Sequence, residues 1–80
     1  MWEVIGYEVS SNSEGAITGY TIYCTKPFKG EEGHGHKAKR YWYRPTIDYK
    51  PNVGDRVFVE VEVRTFGQKS VEVVTDIMVV

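Results

Sequence analysis

In the C-terminal third of the chain apolar residues fall on every second position: Val57, Val59, Val61 and Val63 alternate with Phe58, Glu60, Glu62 and Arg64. Successive side chains of a β-strand point to opposite faces, so this period predicts a strand buried on one side. After Thr65-Phe66-Gly67-Gln68-Lys69, where Gly67 is free to take a positive φ, the alternation resumes with Val71, Val73, Thr75, Ile77 and Val79. Two alternating runs around a short glycine turn predict a hairpin. On this reading Val74, Met78 and Val80 lie on the face opposite the core and offer a surface for self-association.

Upstream, Trp2 to Val9 is rich in large and β-branched residues and predicts a first strand, ended by the turn-forming cluster Ser10-Ser11-Asn12-Ser13-Glu14-Gly15. Ile17 to Thr25 is the second strand, with Gly19 marking a bulge or bend and Pro27 ending it. Lys29 to His36 is a glycine-rich loop, and Lys37 to Tyr43 the third strand. Pro51 and Gly54 then make a turn before the fourth strand. The sum is about five strands and no helix, in an all-β chain. An open five-stranded sheet would leave long unpaired edges, so the expected architecture is a small five-stranded OB-fold-like barrel, with an SH3-like barrel as the alternative.

At 80 residues, with 41% hydrophobic and 14% aromatic residues, residues 1–80 suffice for one domain with little core to spare. Cys24 is the only cysteine, which excludes an internal disulfide and a thiolate-built zinc site. The first residues show no basic segment followed by an apolar one, and no run approaches the ~18 apolar residues of a membrane span. The expectation is a soluble cytoplasmic protein.

The net charge of -1 argues weakly against a polyanionic partner, but its distribution changes the picture. From Lys26 to Lys50 seven cations face three acids, while the flanking segments carry -3 and -2. The densest stretch is Lys37-Ala-Lys39-Arg40-Tyr41-Trp42-Tyr43-Arg44, where cations and aromatics interleave without an acid. On a strand Arg40, Trp42 and Arg44 share one face and Lys39, Tyr41 and Tyr43 the other. Flat rings beside positive charge suit single-stranded nucleic acid, whose unpaired bases stack while lysine and arginine neutralise phosphates. Trp42 is expected to be exposed because arginines on its face are rarely buried unpaired. Tyr41 and Tyr43 stand between stacking and core roles, and Trp2 belongs to the core. Phe66, at a hairpin tip, is a wedge for nucleic acid or a contact between copies.

Val4-Ile5-Gly6-Tyr7, Gly19-Tyr20-Thr21-Ile22-Tyr23-Cys24-Thr25, the aromatic middle strand and the turn Pro51-Asn52-Val53-Gly54-Asp55 before the closing hairpin together resemble the filamentous-phage gene-five-like helix-destabilising proteins and their relatives on phages and mobile elements. The resemblance spans nearly the whole chain through short pieces. It implies an OB-like barrel, a homodimer and cooperative binding of single-stranded DNA during replication or transfer. RNA is a variant of this reading, because stacking platforms do not by themselves distinguish sugars. By position it implies DNA contacts at Tyr20, Tyr23, Arg40, Trp42, Arg44 and Phe66. The Ser11 to Glu14 segment lacks the basic residues found there in the phage proteins, and the His34-Gly35-His36 loop is not part of the pattern.

With the basic stretch included, the candidate nucleic-acid residues are Tyr20, Tyr23, Lys37, Lys39, Arg40, Tyr41, Trp42, Tyr43, Arg44 and Phe66. An enzyme is not expected: Cys24 has no adjacent base, Glu60 and Glu62 are solvated spacers, and no glycine loop opens a helix. No cofactor or metal is expected, since His34 and His36 sit in a loop without supporting groups. The competing reading is a small barrel that presents the same aromatics to a peptide.

Overall fold

A computed structural model describes residues 1–27 and 33–80. Its strands are β1 (Trp2–Ser11), β2 (Ile17–Pro27), β3 (His36–Tyr43), β4 (Arg56–Phe66) and β5 (Lys69–Val79). No helix occurs among the described residues, so none is long and apolar enough to cross a membrane. Part of the glycine-rich loop expected over 29–36 lies outside the described residues, and β3 begins at His36 rather than Lys37.

Every pairing is antiparallel, in the order β3-β2-β1-β4-β5. The chain makes a three-strand meander, leaves β3 at one edge, and re-enters beside β1 as the first strand of the β4–β5 hairpin. β3 and β4 are therefore not neighbours, as an SH3-like barrel would need, and the order is that of an OB-fold. The barrel is not closed. Among the described residues no backbone ladder joins β3 to β5; instead Lys39 Nζ on β3 meets Glu72 Oε2 on β5 at 2.8 Å.

Each strand contributes to one core: Val4 from β1, Ile22 and Cys24 from β2, Tyr41 and Tyr43 from β3, Val57 from β4, Val74 and Ile77 from β5. Tyr49, from the β3–β4 connection, completes it. Tyrosines can serve here because their hydroxyls find partners, as buried donors must. The Tyr43 hydroxyl donates to the Tyr49 carbonyl oxygen at 3.0 Å, and the Tyr49 hydroxyl to Asp55 Oδ2 at 2.9 Å. Backbone bonds from Val4 N to Asp55 O and from Gly54 N to Val4 O, both 2.8 Å, then tie the connection to β1. Gly54 adopts φ 97, the turn conformation its place after Pro51 suggested.

Three irregularities decide which residues face inward. Ile5 and Thr18 are extra residues in the β1–β2 ladder, and Thr75 is an extra residue in β5, skipped between Glu60↔Asp76 and Val61↔Val74. The Thr75 hydroxyl donates to the Glu60 carbonyl oxygen at 3.2 Å across this bulge. A bulge reverses side-chain parity along its strand. Val74 therefore lies in the core with Ile77, which corrects the expectation that it faces a partner; Met78 and Val80 are exposed. The alternation in β4 is real but only Val57 is fully buried, while Val59 is half-buried and Val63 is 64% exposed. β1 and β4 pair only at Trp2↔Val57 and Glu3↔Arg56, so most of the β4–β5 hairpin extends past this junction. The radius of gyration is 14.1 Å, against about 12 Å for a compact chain of this length.

Ile22 and Val63 separate the packed part from the unpacked part. Ile22→Ala should cost about 2 to 5 kcal/mol by urea denaturation, and Val63→Ala less than about 0.5 kcal/mol. An equal effect at both positions would contradict this division. Burial also raises the Cys24 thiol from 9.0 to about 11, and burial aided by the Asp55 hydrogen bond raises the Tyr49 hydroxyl from 10.0 to about 12. The unfolded chain loses these protons first as pH rises, so stability is complete below about pH 9 and declines from there through about 12. Cys24→Ala should flatten that decline, as read from urea midpoints measured against pH.

Candidate nucleic-acid interface

The register of β3 against β2 sorts the basic-aromatic stretch. Tyr43 pairs with Tyr20 and Tyr41 with Ile22 on the inner face, while Trp42 pairs with Thr21 and Arg40 with Tyr23 on the outer one. Tyr43 is 1% exposed and Tyr41 8%, so neither presents a ring to a base. The apolar core needs both rings, which also line the groove between β3 and β5. Tyr20 is half-buried, stacked on Tyr43 with centroids 5.4 Å apart, and supports the core. Lys39 also points to the inner side. Its ammonium lies 4.9 Å from the Tyr41 ring centre, and its hydrogen bond to Glu72 raises its pKa above the ordinary value. It clasps the seam instead of standing free for phosphate.

Trp42 is 47% exposed. A Cβ built on Gly19 would fall 2.5 Å from the Trp42 Cε2 and Cζ2 atoms. The absence of a side chain at Gly19 is thus what seats the indole on the backbone of β2. A glycine in a strand commonly marks such a close approach. The bulge expected at Gly19 falls on its neighbour Thr18.

Arg40, Trp42 and Arg44 line a groove of about 580 Å³ along the open seam between β3 and β5. The opposite wall is the β4–β5 hairpin, with Arg64 and Phe66 from β4 and Glu72 to Thr75 from β5, and Thr46 and Ile47 fill one end. Among the described residues three arginines thus face one glutamate, which Lys39 already engages. Arg64 is near Glu62 at 3.4 Å, an exposed pair that costs little to separate. Phe66 is 63% exposed beside Gly67, whose φ of 62 makes the turn.

Of the expected contact residues, the structure gathers Arg40, Trp42, Arg44 and Phe66 at the groove as exposed side chains, with the buried Tyr41 and Tyr43 also in its lining. Tyr23 is on the same outer face, its hydroxyl donating to Glu8 Oε1 at 2.8 Å; that bond raises its pKa. Lys37 lies toward the far end of β3, opposite Lys26. Arg64 was missed, because in sequence it is one more polar spacer of an alternating strand. Only the curl of the hairpin brings it across to β3. Among the described residues no group of three or more His, Cys, Asp or Glu is placed to hold a metal ion.

Gly19→Ala should dislodge the indole, shifting tryptophan emission and costing about 1 to 3 kcal/mol. Pairing it with Trp42→Ala should remove most of that cost, since the clash then has no second partner. Additive losses would show that Gly19 matters for some other reason.

No known protein family, curated protein or solved structure matches this chain. Its function has to be argued from the groove itself.

Proposed function

We propose that the protein binds single-stranded nucleic acid, DNA in the first instance, with little sequence preference. The observation that carries this reading is the Trp42 indole, seated on Gly19 and exposed between arginines at the rim of an open groove. A base can stack on the indole whatever its identity, while Arg40, Arg44 and Arg64 neutralise phosphates. In OB-folds oligonucleotides lie on the face of the second and third strands and against the first and last hairpin loops. Here the outer face of β2 and β3 carries Tyr23, Arg40 and Trp42, and Phe66 stands at the β4–β5 turn. A ring held in place before binding loses little freedom when a base arrives. Duplex bases are already stacked on one another and would offer this surface only their phosphates.

The resemblance to gene-five-like proteins adds a role: a dimer that coats single strands during replication or transfer of a phage or mobile element, in the cytoplasm. Exposed Val61, Val63 and Val71 on the protruding hairpin supply apolar area for such pairing. The unpaired edges of β3 and β5 favour a second reading, in which an extended peptide enters the same seam.

Oligonucleotide titration followed by tryptophan fluorescence tests the choice. Thymidine oligomers should quench emission, with a log-log salt slope of about -0.7 for each phosphate neutralised. Trp42→Ala should weaken binding by about 5- to 150-fold, the equivalent of one stacked base. Equal affinity for duplex and single strands, or binding indifferent to salt, would overturn the assignment.

A further inference from the structure

A second groove, of about 540 Å³, opens at the other end of β3. Its lining includes Trp2 from β1, Lys26 from β2, His36 from β3 and Arg56 from β4, with Glu3 as the one carboxylate among the described residues. The Lys26 ammonium lies 4.4 Å from the Trp2 ring centre, and Trp2 meets Tyr41 edge-on at 5.9 Å, so the indole is fixed from two sides. This repeats the chemistry of the first groove, a held indole beside cations, in residues that are scattered in sequence. β3 is the common wall. His36, Ala38, Arg40, Trp42 and Arg44 alternate along the outer side of that strand. His36 reaches the second groove, where Trp2 and Lys26 stand on the inner side with Tyr41, so a strand joining the grooves turns around the start of β3 at His36.

We infer that the Trp2–Lys26–Arg56 groove is a second anchor for the same nucleic-acid strand, so that a bound single strand follows β3 from the seam past His36 and delivers a phosphate to Lys26 and Arg56. The inference rests on the proposed single-strand binding and specifies its path and length. From His36 to Trp42 is six residues of strand, about 20 Å. A single strand stretched to about twice the ~3.4 Å rise it has in a duplex needs about four nucleotides to cover that distance. Oligomers shorter than this reach one anchor only. Above that length both cations of the second groove contribute.

The two tryptophans lie one in each groove, so each reports on its own. In Trp2→Phe the remaining indole is Trp42, and in Trp42→Phe it is Trp2. A thymidine dodecanucleotide at saturation, judged by anisotropy of a labelled strand, should change the emission of both variants. A trinucleotide at saturation should change only the Trp2→Phe variant. Lys26→Gln with Arg56→Gln should weaken dodecanucleotide binding and flatten its salt slope by about 1.4, two phosphates at about 0.7 each, while leaving trinucleotide binding unchanged. If Trp42 responds and Trp2 stays silent with the long strand, or if the salt slope does not move, the second anchor is wrong and the first groove stands. A Trp2 response equal for both lengths would mean that no strand joins the two grooves. If neither tryptophan responds to any oligomer, single-strand binding itself is overturned, and the inference with it.

Discussion

The structure depends on the tyrosines of β3 being held in the core. Tyr43 is enclosed by Tyr20 and Tyr49 and hydrogen-bonded to the Tyr49 carbonyl, and Tyr41 is packed beside Ile22 and against Trp2. A slip of one residue would bury Arg40, Trp42 and Arg44 and expose both tyrosines, a change that desolvates two guanidinium groups without partners. The interior thus fixes the register, and the register aims the indole outward. Core and candidate interface are two faces of one strand, and stability of the first is what orders the second.

The open seam follows from the way the β4–β5 hairpin is attached. With only two register pairs between β1 and β4, the hairpin is anchored at its base and reaches β3 through side chains. Lys39 and Glu72 bridge the seam where a closed barrel would have backbone hydrogen bonds. An exposed ion pair is worth little by itself. Its place at the groove matters more, since it neutralises the groove's glutamate and leaves Arg40, Arg44 and Arg64 to set the local sign of charge. A protein of net charge -1 can in this way present a positive path to a polyanion.

Much of this was legible along the chain. Strand positions followed from alternation and from the turn residues at Gly15, Gly54 and Gly67, all three of which adopt positive φ. Strand parity put Arg40, Trp42 and Arg44 on one face, and the cost of burying unpaired arginines turned that face outward. The face of Val74 did not, because a bulge at Thr75 leaves no mark in a run already alternating between valines and polar residues. The reason for Gly19 was equally hidden, since it is a ring arriving from another strand and not a local bend.

By itself, then, the sequence determined the all-β class, the approximate place of each strand along the chain, and the grouping of Arg40, Trp42 and Arg44 on one face of β3, because each depends on neighbours within a few residues. Tertiary structure decided what lies across from what. It placed Arg64 and Phe66 opposite Trp42, drew Lys39 away to Glu72, and set Trp2 beside Lys26 and Arg56. These are encounters between strands far apart in the chain, fixed by barrel curvature and by single extra residues in the ladders. No periodicity in a sequence records the direction in which a hairpin curls.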